Sequence, residues 1–277
     1  MFEMIFLLVL GLVWIIFATV QDLKTREVAN WLNFSLIIFA LGFRFFYSLF
    51  SDAGFDFFYQ GLIGLGIFFI LGNFLYYSRV FAGGDAKLMI ALGAVLPLGG
   101  NFLVNVKVFL WFFGIFLFTG TVYGIIISGF LATRNFEKFK KEFLMQFKKT
   151  RKLVLIILFF GLIIMAFGFF ESLFFVLGIL IFILPYLFLF GKSIEETCMV
   201  KKISVKNLRE GDWLYKNLKI GKKEIKSNWE GLTKEEIWKI KKHYKEVLIK
   251  QGIAFVPVFL ISFLVLIGVN YLGYPLW

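Results

Sequence analysis

Long uncharged apolar segments constrain the fold of this sequence more than any other feature. Residues 4–20 contain no charged side chain, and comparable segments recur along the chain. At about 1.5 Å per residue, a helix of roughly 20 apolar residues crosses the hydrocarbon core of a bilayer. Helices and closed barrels are the structures that satisfy all of their backbone polar groups in that environment. The pattern therefore predicts an all-α, polytopic transmembrane helical bundle.

The composition agrees with a membrane protein. Hydrophobic residues make up 60% of the chain, and the mean hydropathy is +0.85. A soluble domain of 277 residues does not bury so much apolar surface. The net charge of +12 would suggest nucleic-acid binding in a soluble protein. Here the basic residues lie mainly between the apolar segments, as the positive-inside rule requires. We therefore predict a multi-pass protein of the cell membrane, with the bilayer and no nucleic acid as partner.

The apolar segments predict about six to eight spans, and eight is the best estimate because it places every basic connection on the cytoplasmic side. The predicted spans are residues 4–20, 28–51, 57–78, 88–98, 108–133, 153–170, 172–191 and 251–277. Arg44 lies near the far end of the second span, where its long side chain can extend toward water.

Charge divides the chain into five parts. These are a transmembrane domain at 1–131, a basic cytoplasmic loop or interfacial helix at 132–152, a transmembrane hairpin at 153–191, a cytoplasmic polar domain at 192–250 and a C-terminal transmembrane helix at 251–277. Within the polar domain, Thr233 and Glu236 predict a capping box that starts a helix at 233–250. Cys198 and His243 are each the one residue of their type, so we predict no disulfide, no metal site and no cofactor.

Two carboxylates stand at the ends of apolar segments. Asp22 follows the first segment, and Asp85 lies between a pair of glycines and the fourth segment. Each acid alone is explained by a helix end, where a carboxylate caps free backbone N–H groups or suits the dipole. By the predicted topology both lie at the cytoplasmic level of the membrane. Two carboxylates in one site share a proton, so one can activate a water while the other protonates the substrate. The pair predicts an aspartic protease.

These residues carry a family resemblance. Residues 22–30, Asp-Leu-Lys-Thr-Arg-Glu-Val-Ala-Asn, resemble the first aspartate motif of the type IV prepilin peptidases. Residues 82–87, Ala-Gly-Gly-Asp-Ala-Lys, resemble their second motif, Gly-x-Gly-Asp-x-Lys. The resemblance covers about residues 1–98 and is closest to the archaeal branch, which includes the preflagellin (prearchaellin) peptidases. More loosely, residues 207–213, Asn-Leu-Arg-Glu-Gly-Asp-Trp, and residues 252–257, Gly-Ile-Ala-Phe-Val-Pro, are similar in style to the archaeal members. Two departures are Ala82, in place of the first glycine, and residues 28–30, Val-Ala-Asn, in place of Ile-Pro-Asn.

The resemblance implies a function and roles for the motif residues. The family removes the short basic leader of pilin-like precursors (prepilin, or preflagellin, the archaellin precursor) at the cytoplasmic membrane face. Asp22 and Asp85 carry over as the catalytic pair. Six further residues carry over as substrate-binding or supporting residues: Gly83, Gly84, Lys87, Lys24, Arg26 and Asn30. The zinc-binding cysteine domain of the bacterial enzymes has no counterpart here, which implies an endopeptidase without methyltransferase activity.

Simpler roles and other functions remain open at this stage. The positive-inside rule alone accounts for Lys24, Arg26 and Lys87, and capping the second helix is the simplest role for Asn30. Lys87 is expected to favour the charged form of nearby Asp85. An ion-coupled transporter could use the two acids, although it predicts acids at the midplane and an inverted repeat. A presenilin-like or signal-peptide-peptidase-like enzyme shares Gly-x-Gly-Asp but pairs it with a Tyr-Asp dipeptide, which does not occur here. A membrane scaffold is a third alternative.

Overall fold

The computed structural model describes residues 2–51, 54–220, 223–272 and 276–277. Helices dominate these residues. The α-helices are α1 (Phe2–Thr25), α2 (Asn30–Phe50), α3 (Asp56–Tyr77), α4 (Gly83–Leu92), α5 (Phe102–Arg134), α6 (Phe136–Ala166), α7 (Ser172–Ile194), α8 (Lys234–His243) and α9 (Val256–Tyr271).

Short strands occur in the polar part of the chain and were not predicted. They are β1 (Val200–Ser204), β2 (Trp213–Leu214), β3 (Leu218–Ile220), β4 (Lys223–Ile225) and β5 (Glu246–Lys250). In the described residues β1, β5 and β2 form an antiparallel sheet with β5 in the middle, and β3 pairs with β4.

A multi-pass helical membrane architecture is confirmed. Among the described residues, six helices are long and apolar enough to cross a membrane, namely α1, α2, α3, α5, α6 and α7. The other two predicted spans contain shorter helices, since α4 has 10 residues and α9 has 16. The fourth span was expected to end near Leu98, but its helix ends at Leu92. Gly93 follows directly and Pro97 comes after Leu96, and both residue types disfavour continuation of a helix.

The first compact unit combines Met1–Gly124 with Ile253–Trp277. Its core is made of large side chains that are completely buried, including Ile15 of α1, Leu36 of α2 and Phe263 of α9. A Cβ atom at Gly11 would lie 3.0 Å from the Phe263 ring, so α1 and α9 pack closely at that point. The C-terminal helix therefore belongs to the same core as the first helix.

Glycines let α3 and α4 approach at backbone distance. A Cβ atom at Gly93 would lie 2.6 Å from the carbonyl oxygen of Gly64 and 2.5 Å from the Cβ of Phe68. A Cβ atom at Gly64 would lie 2.4 Å from the carbonyl oxygen of Gly93. Such distances are far below van der Waals contact, so each glycine is required by its neighbour. This contact fixes the depth of α4, and with it the position of Asp85.

Alanine at Gly93 is therefore expected to destabilise the protein, whereas alanine at Gly66 should not. Gly66 lies on the same helix as Gly64, but a Cβ atom there has no neighbour within 4 Å among the described residues. Overpacking of this kind costs about 1–3 kcal/mol, and the thermal midpoint in detergent measures it. Equal midpoints for Gly93→Ala and Gly66→Ala would contradict the close packing.

Arg44 is completely buried and does not extend toward water as predicted. Its guanidinium group donates hydrogen bonds to the carbonyl oxygens of Ala94 and Phe57 at 3.0 Å and of Val95 at 3.3 Å, and also to that of Pro97. Three of these carbonyl groups follow the end of α4, where the chain no longer supplies helical donors. The side chain therefore stays inside the bundle, because the carbonyl groups after α4 need hydrogen-bond donors. This need outweighs the access of the guanidinium group to water.

The second compact unit is Ile125–Gly252. Its helices α6 and α7 pack closely against each other, since a Cβ atom at Gly178 would lie 2.5 Å from the backbone nitrogen of Met165. The basic segment 132–152 lies within α5 and α6 apart from Asn135, so it is helical rather than a loop. A continuous helix satisfies its backbone groups and presents the lysines to solvent on its outer face.

The predicted capping box is confirmed, but the helix that it starts is shorter than predicted. The Thr233 hydroxyl accepts the N–H of Glu236, whose carboxylate accepts the N–H of Thr233 at 2.9 Å. Helix α8 ends at His243, and residues 246–250 form β5 instead. Val247 and Ile249 alternate with exposed neighbours and are buried, which is the period of a strand rather than a helix.

Candidate active site

Asp22 lies in the last turn of α1 and is buried, with 6% of its surface exposed. Its Oδ2 atom accepts the backbone N–H of Val256 at 2.9 Å, and the N–H of Phe255 is a second donor to this carboxylate. Both donors belong to the first turn of α9, where N–H groups have no helical partner. Asp22 therefore caps a helix that begins 234 residues later in the chain.

Asp85 is the third residue of α4 and is half-buried. Its carboxylate forms a hydrogen bond with the backbone N–H of Ala82, the residue that precedes the helix in extended conformation. The negative charge of Asp22 acts on the Asp85 carboxyl group, so the two acids lie within electrostatic reach of each other. The helix ends thus bring together two carboxyl groups that are 63 residues apart in sequence, since 85 minus 22 is 63.

Lys87 links the two motifs, but through Asn30 rather than through an aspartate. Its Nζ atom donates to the Oδ1 atom of Asn30 at 2.7 Å. Asn30 is the first residue of α2 and makes no cap, because Ala29 occupies the cap position. The N–H of Ala29 is satisfied instead by the Oε1 atom of Gln21 at 3.1 Å. Lys87 and Asn30 therefore join the starts of α4 and α2. Lys87 was expected to favour the charged form of Asp85, but it is not among the groups that act on that carboxylate.

Arg26 and Lys24 lie at the end of α1 and are exposed. Lys24 is in the last helical turn, where a cation suits the helix dipole. Arg26 adopts a left-handed conformation with φ of 59°, and its N–H donates to the carbonyl oxygen of Asp22 at 2.8 Å. The charge of Arg26 acts on the Asp22 carboxylate. In the described residues, Arg79 before the second motif is the other non-glycine residue with positive φ, at 62°. Such outliers concentrate at functional sites.

Gly83 and Gly84 are not required by packing. A Cβ atom at Gly84 would lie 3.5 Å from the backbone nitrogen of Val28, and one at Gly83 would lie 3.8 Å from the ring of Tyr76. Both distances are ordinary van der Waals contacts, and neither glycine has positive φ. The two glycines therefore leave the backbone immediately before Asp85 without side chains, at contact distance from Tyr76 and Val28.

Tyr123 is a part of this site that sequence reasoning missed, and the segment before α9 was noted only for a loose family resemblance. The Tyr123 hydroxyl donates to the carbonyl oxygen of Ala254 at 2.9 Å. The charges of Asp22 and Arg26 both act on the Tyr123 phenol. Besides that resemblance, Pro257 is typical of a helix start, but nothing in the sequence indicates which carboxylate that start would meet.

Two acids of the second unit, Glu195 and Glu196, are engaged in ion pairs. The Nζ atom of Lys192 lies 2.9 Å from Oε2 of Glu195 and 3.1 Å from Oε1 of Glu196, and Lys250 also pairs with Glu195. The Tyr215 hydroxyl donates to Glu196 at 2.6 Å, a bond that raises the pKa of this phenol. These glutamates connect the end of α7 to the sheet and are neutralised there.

Across residues 2–51, 54–220, 223–272 and 276–277, no three His, Cys, Asp or Glu side chains are arranged to hold a metal ion. The chemistry that the site itself offers is that of two interacting carboxyl groups at helix ends. The fold defines a multi-pass helical membrane protein, and the two acids at its helix ends form the candidate site.

Comparison with known proteins agrees with this class. Residues 9–131 match the type IV leader peptidase family. The matched segment contains both aspartates and every candidate residue around them except the segment before α9. The resemblance that the two motifs predict is confirmed.

Three curated relatives are archaeal preflagellin peptidases. That of Methanocaldococcus jannaschii is 34% identical over 91 residues, which are 32% of this chain and 37% of the relative. That of Methanococcus maripaludis is 33% identical over 89 residues, 32% of this chain and 38% of the relative. That of Methanococcus voltae is 24% identical over 155 residues, 53% of this chain and 64% of the relative. Each match spans less than two thirds of the relative's own length. No solved structure matches this chain.

Proposed function

We propose that this protein is a membrane aspartic endopeptidase that removes the leader peptide from type IV pilin-like precursors, preflagellin among them. The observation that carries the proposal is the interaction between Asp22 and Asp85 at two helix ends, inside the segment that matches the leader peptidase family. The names of the three archaeal relatives support preflagellin as the substrate.

The proposed chemistry needs one proton shared between Asp22 and Asp85. The charged carboxylate accepts a proton from a water molecule while the water oxygen attacks the carbonyl carbon of the scissile peptide bond. The neutral carboxyl group protonates the carbonyl oxygen at the same time. Collapse of the tetrahedral intermediate breaks the C–N bond: the protonated carboxyl group gives its proton to the leaving nitrogen, and the charged carboxylate takes a proton from a hydroxyl group of the intermediate. The pair then again holds one proton, as two acids in one site require.

We place the site at the cytoplasmic face. The exposed cations Lys24, Arg26 and Arg79 lie at the ends of α1 and α3, close in sequence to the two acids. Basic residues at the ends of spans are typical of the cytoplasmic side. A precursor whose hydrophobic segment lies in the bilayer would present its leader junction at this level.

An extended substrate strand can approach the backbone at Gly83 and Gly84 because neither residue carries a side chain. Gly84→Ala is expected to leave the thermal midpoint unchanged, because its Cβ meets Val28 at ordinary distance. It should reduce cleavage about tenfold or more, because a methyl group between Gly84 and Val28 would narrow the space beside Asp85. Gly114→Ala serves as the control, since a Cβ there has no described neighbour within 4 Å. Wild-type cleavage by a folded Gly84→Ala variant would contradict a strand at this position.

The direct test of the proposed function is incubation of the purified full-length protein in detergent with a preflagellin precursor. Mass spectrometry should detect a mature chain that begins at the hydrophobic segment, and the released leader. A parallel sample with the precursor alone controls for other proteases. Failure to cleave any member of a panel of preflagellin and prepilin precursors would overturn the proposal.

A further inference from the structure

The segment Ile253–Val256 is held beside Asp22 by hydrogen bonds on both sides. Tyr123 of α5 donates to the carbonyl oxygen of Ala254 at 2.9 Å. Val256 donates its N–H to Asp22 at 2.9 Å, and Phe255 is a second donor. Ala254 is 1% exposed and Val256 is fully buried, so water does not compete for these bonds.

Aromatic packing connects the same segment to the second motif. The ring centroid of Phe255 lies 6.0 Å from that of Phe81, four residues before Asp85, and 5.8 Å from that of Phe116. A Cβ atom at Gly120 would lie 3.2 Å from the Phe255 ring, so α5 also approaches closely here. The segment therefore contacts Asp22 of the first motif and Phe81 directly before the second motif, although the family match ends at residue 131.

We propose that Ile253–Val256 is part of the active site and that Tyr123 is its positioning residue, an inference that rests on the proposed function. Tyr123 holds the Ala254 carbonyl group, which fixes the following two N–H groups against Asp22. Fixed donors hold one orientation of the Asp22 carboxylate toward Asp85 and the substrate. A carboxylate free to rotate would lose part of that orientation, and catalysis is sensitive to such geometry.

Tyr123→Phe tests this role because it removes the hydroxyl group and keeps the ring. We expect kcat for precursor cleavage to fall about tenfold with KM unchanged, since Tyr123 acts through Asp22 and not on the bound substrate. Hydrogen exchange followed by mass spectrometry should detect faster exchange at residues 253–256. The thermal midpoint should fall only slightly, because one neutral hydrogen bond is lost.

Tyr47→Phe is the matched control. The Tyr47 hydroxyl donates to the Oε2 atom of Glu3 at 3.1 Å, between the far end of α2 and the start of α1. The same atom is removed, but at the opposite ends of these helices from Asp22, so kcat should stay at the wild-type value.

The outcomes separate this inference from the proposed function. If wild type cleaves the precursor and Tyr123→Phe cleaves with the same kcat, the inference is overturned and the proposed function stands. If wild type cleaves nothing, the proposed function fails. Exchange then decides the positioning role alone, since unchanged protection at residues 253–256 in Tyr123→Phe would overturn it.

Discussion

Replacement of Asp22 or Asp85 by asparagine is expected to abolish leader cleavage, with kcat reduced about a thousandfold or more. Asparagine has the size and shape of aspartate but cannot accept or donate the catalytic proton. In Asp22→Asn the amide oxygen can still accept the N–H of Val256, so the start of α9 should remain in place. Each variant should therefore lose activity without unfolding.

The two acids are proposed to act as one unit, and this has a measurable consequence. The double variant Asp22→Asn/Asp85→Asn should be no less active than either single variant, because removing one member already disables the pair. Rates are measured on the same precursor at equal concentrations of folded enzyme. If the single losses were moderate and multiplied in the double variant, the acids would act independently.

Asp56→Asn is the matched control for the first prediction. Asp56 stands in the first turn of α3, as Asp85 stands in the first turn of α4, but it is exposed. A role in helix capping alone would make the two substitutions comparable in effect. Wild-type activity in Asp56→Asn beside an inactive, folded Asp85→Asn would assign chemistry to Asp85. Activity retained by a folded Asp22→Asn or Asp85→Asn variant would contradict the paired-acid mechanism.

The features predictable from sequence are those set by local chemistry. Uncharged segments indicate spans because an unpaired charge is costly in hydrocarbon, and Thr233 with Glu236 indicates a helix start because both groups act within one turn. The two aspartate motifs could be recognised for the same reason, since each is short and stands at a helix end. The alternation of apolar and polar residues around Val247 and Ile249 also indicates a strand. It was assigned to the helix because it directly follows the lysine-rich helical segment.

The features that sequence did not predict depend on contacts across long separations. Nothing near Asp22 indicates that its partner is the N–H of Val256, because a backbone N–H carries no sequence signal. Tyr123 joins the site through another backbone group, the Ala254 carbonyl, so the sequence does not indicate this contact either. Asn30 was assigned to a cap from its helix-end position, but Lys87 of α4 engages it instead. Tertiary contacts decide each of these cases.

Arg44 illustrates the same limit with the largest consequence for stability. An arginine near the end of a span ordinarily extends toward water. Here the short helix α4 ends inside the bundle, and the carbonyl groups that follow it need donors. A guanidinium group supplies five N–H donors in a fixed plane, more than any other side chain. Arg44, on a neighbouring helix, therefore supplies the donors for the backbone segment that follows α4.

Arg44→Met is accordingly expected to destabilise the protein by about 3–5 kcal/mol. Methionine fills similar volume but leaves the carbonyl groups of Phe57, Ala94, Val95 and Pro97 without this donor. Removing a buried cation also removes the cost of its desolvation, which is why the net loss is smaller than four full hydrogen-bond penalties. The loss of hydrogen bonds outweighs the saved desolvation cost, because the carbonyl groups remain buried in the variant and cannot reach water.

Thermal unfolding in detergent measures the loss, with Lys107→Met as the control for removal of an exposed cation from a helix. Arg44→Lys should fall between wild type and Arg44→Met, because an ammonium group keeps the charge but cannot span several carbonyl groups with a planar fork. A shift in α4 would also displace Asp85, so cleavage by the surviving folded fraction should be reduced in Arg44→Met. If Arg44→Met unfolded at the wild-type temperature, the carbonyl groups after α4 would not depend on Arg44, and the position of Asp85 would have to be fixed by the glycine contact between α3 and α4 alone.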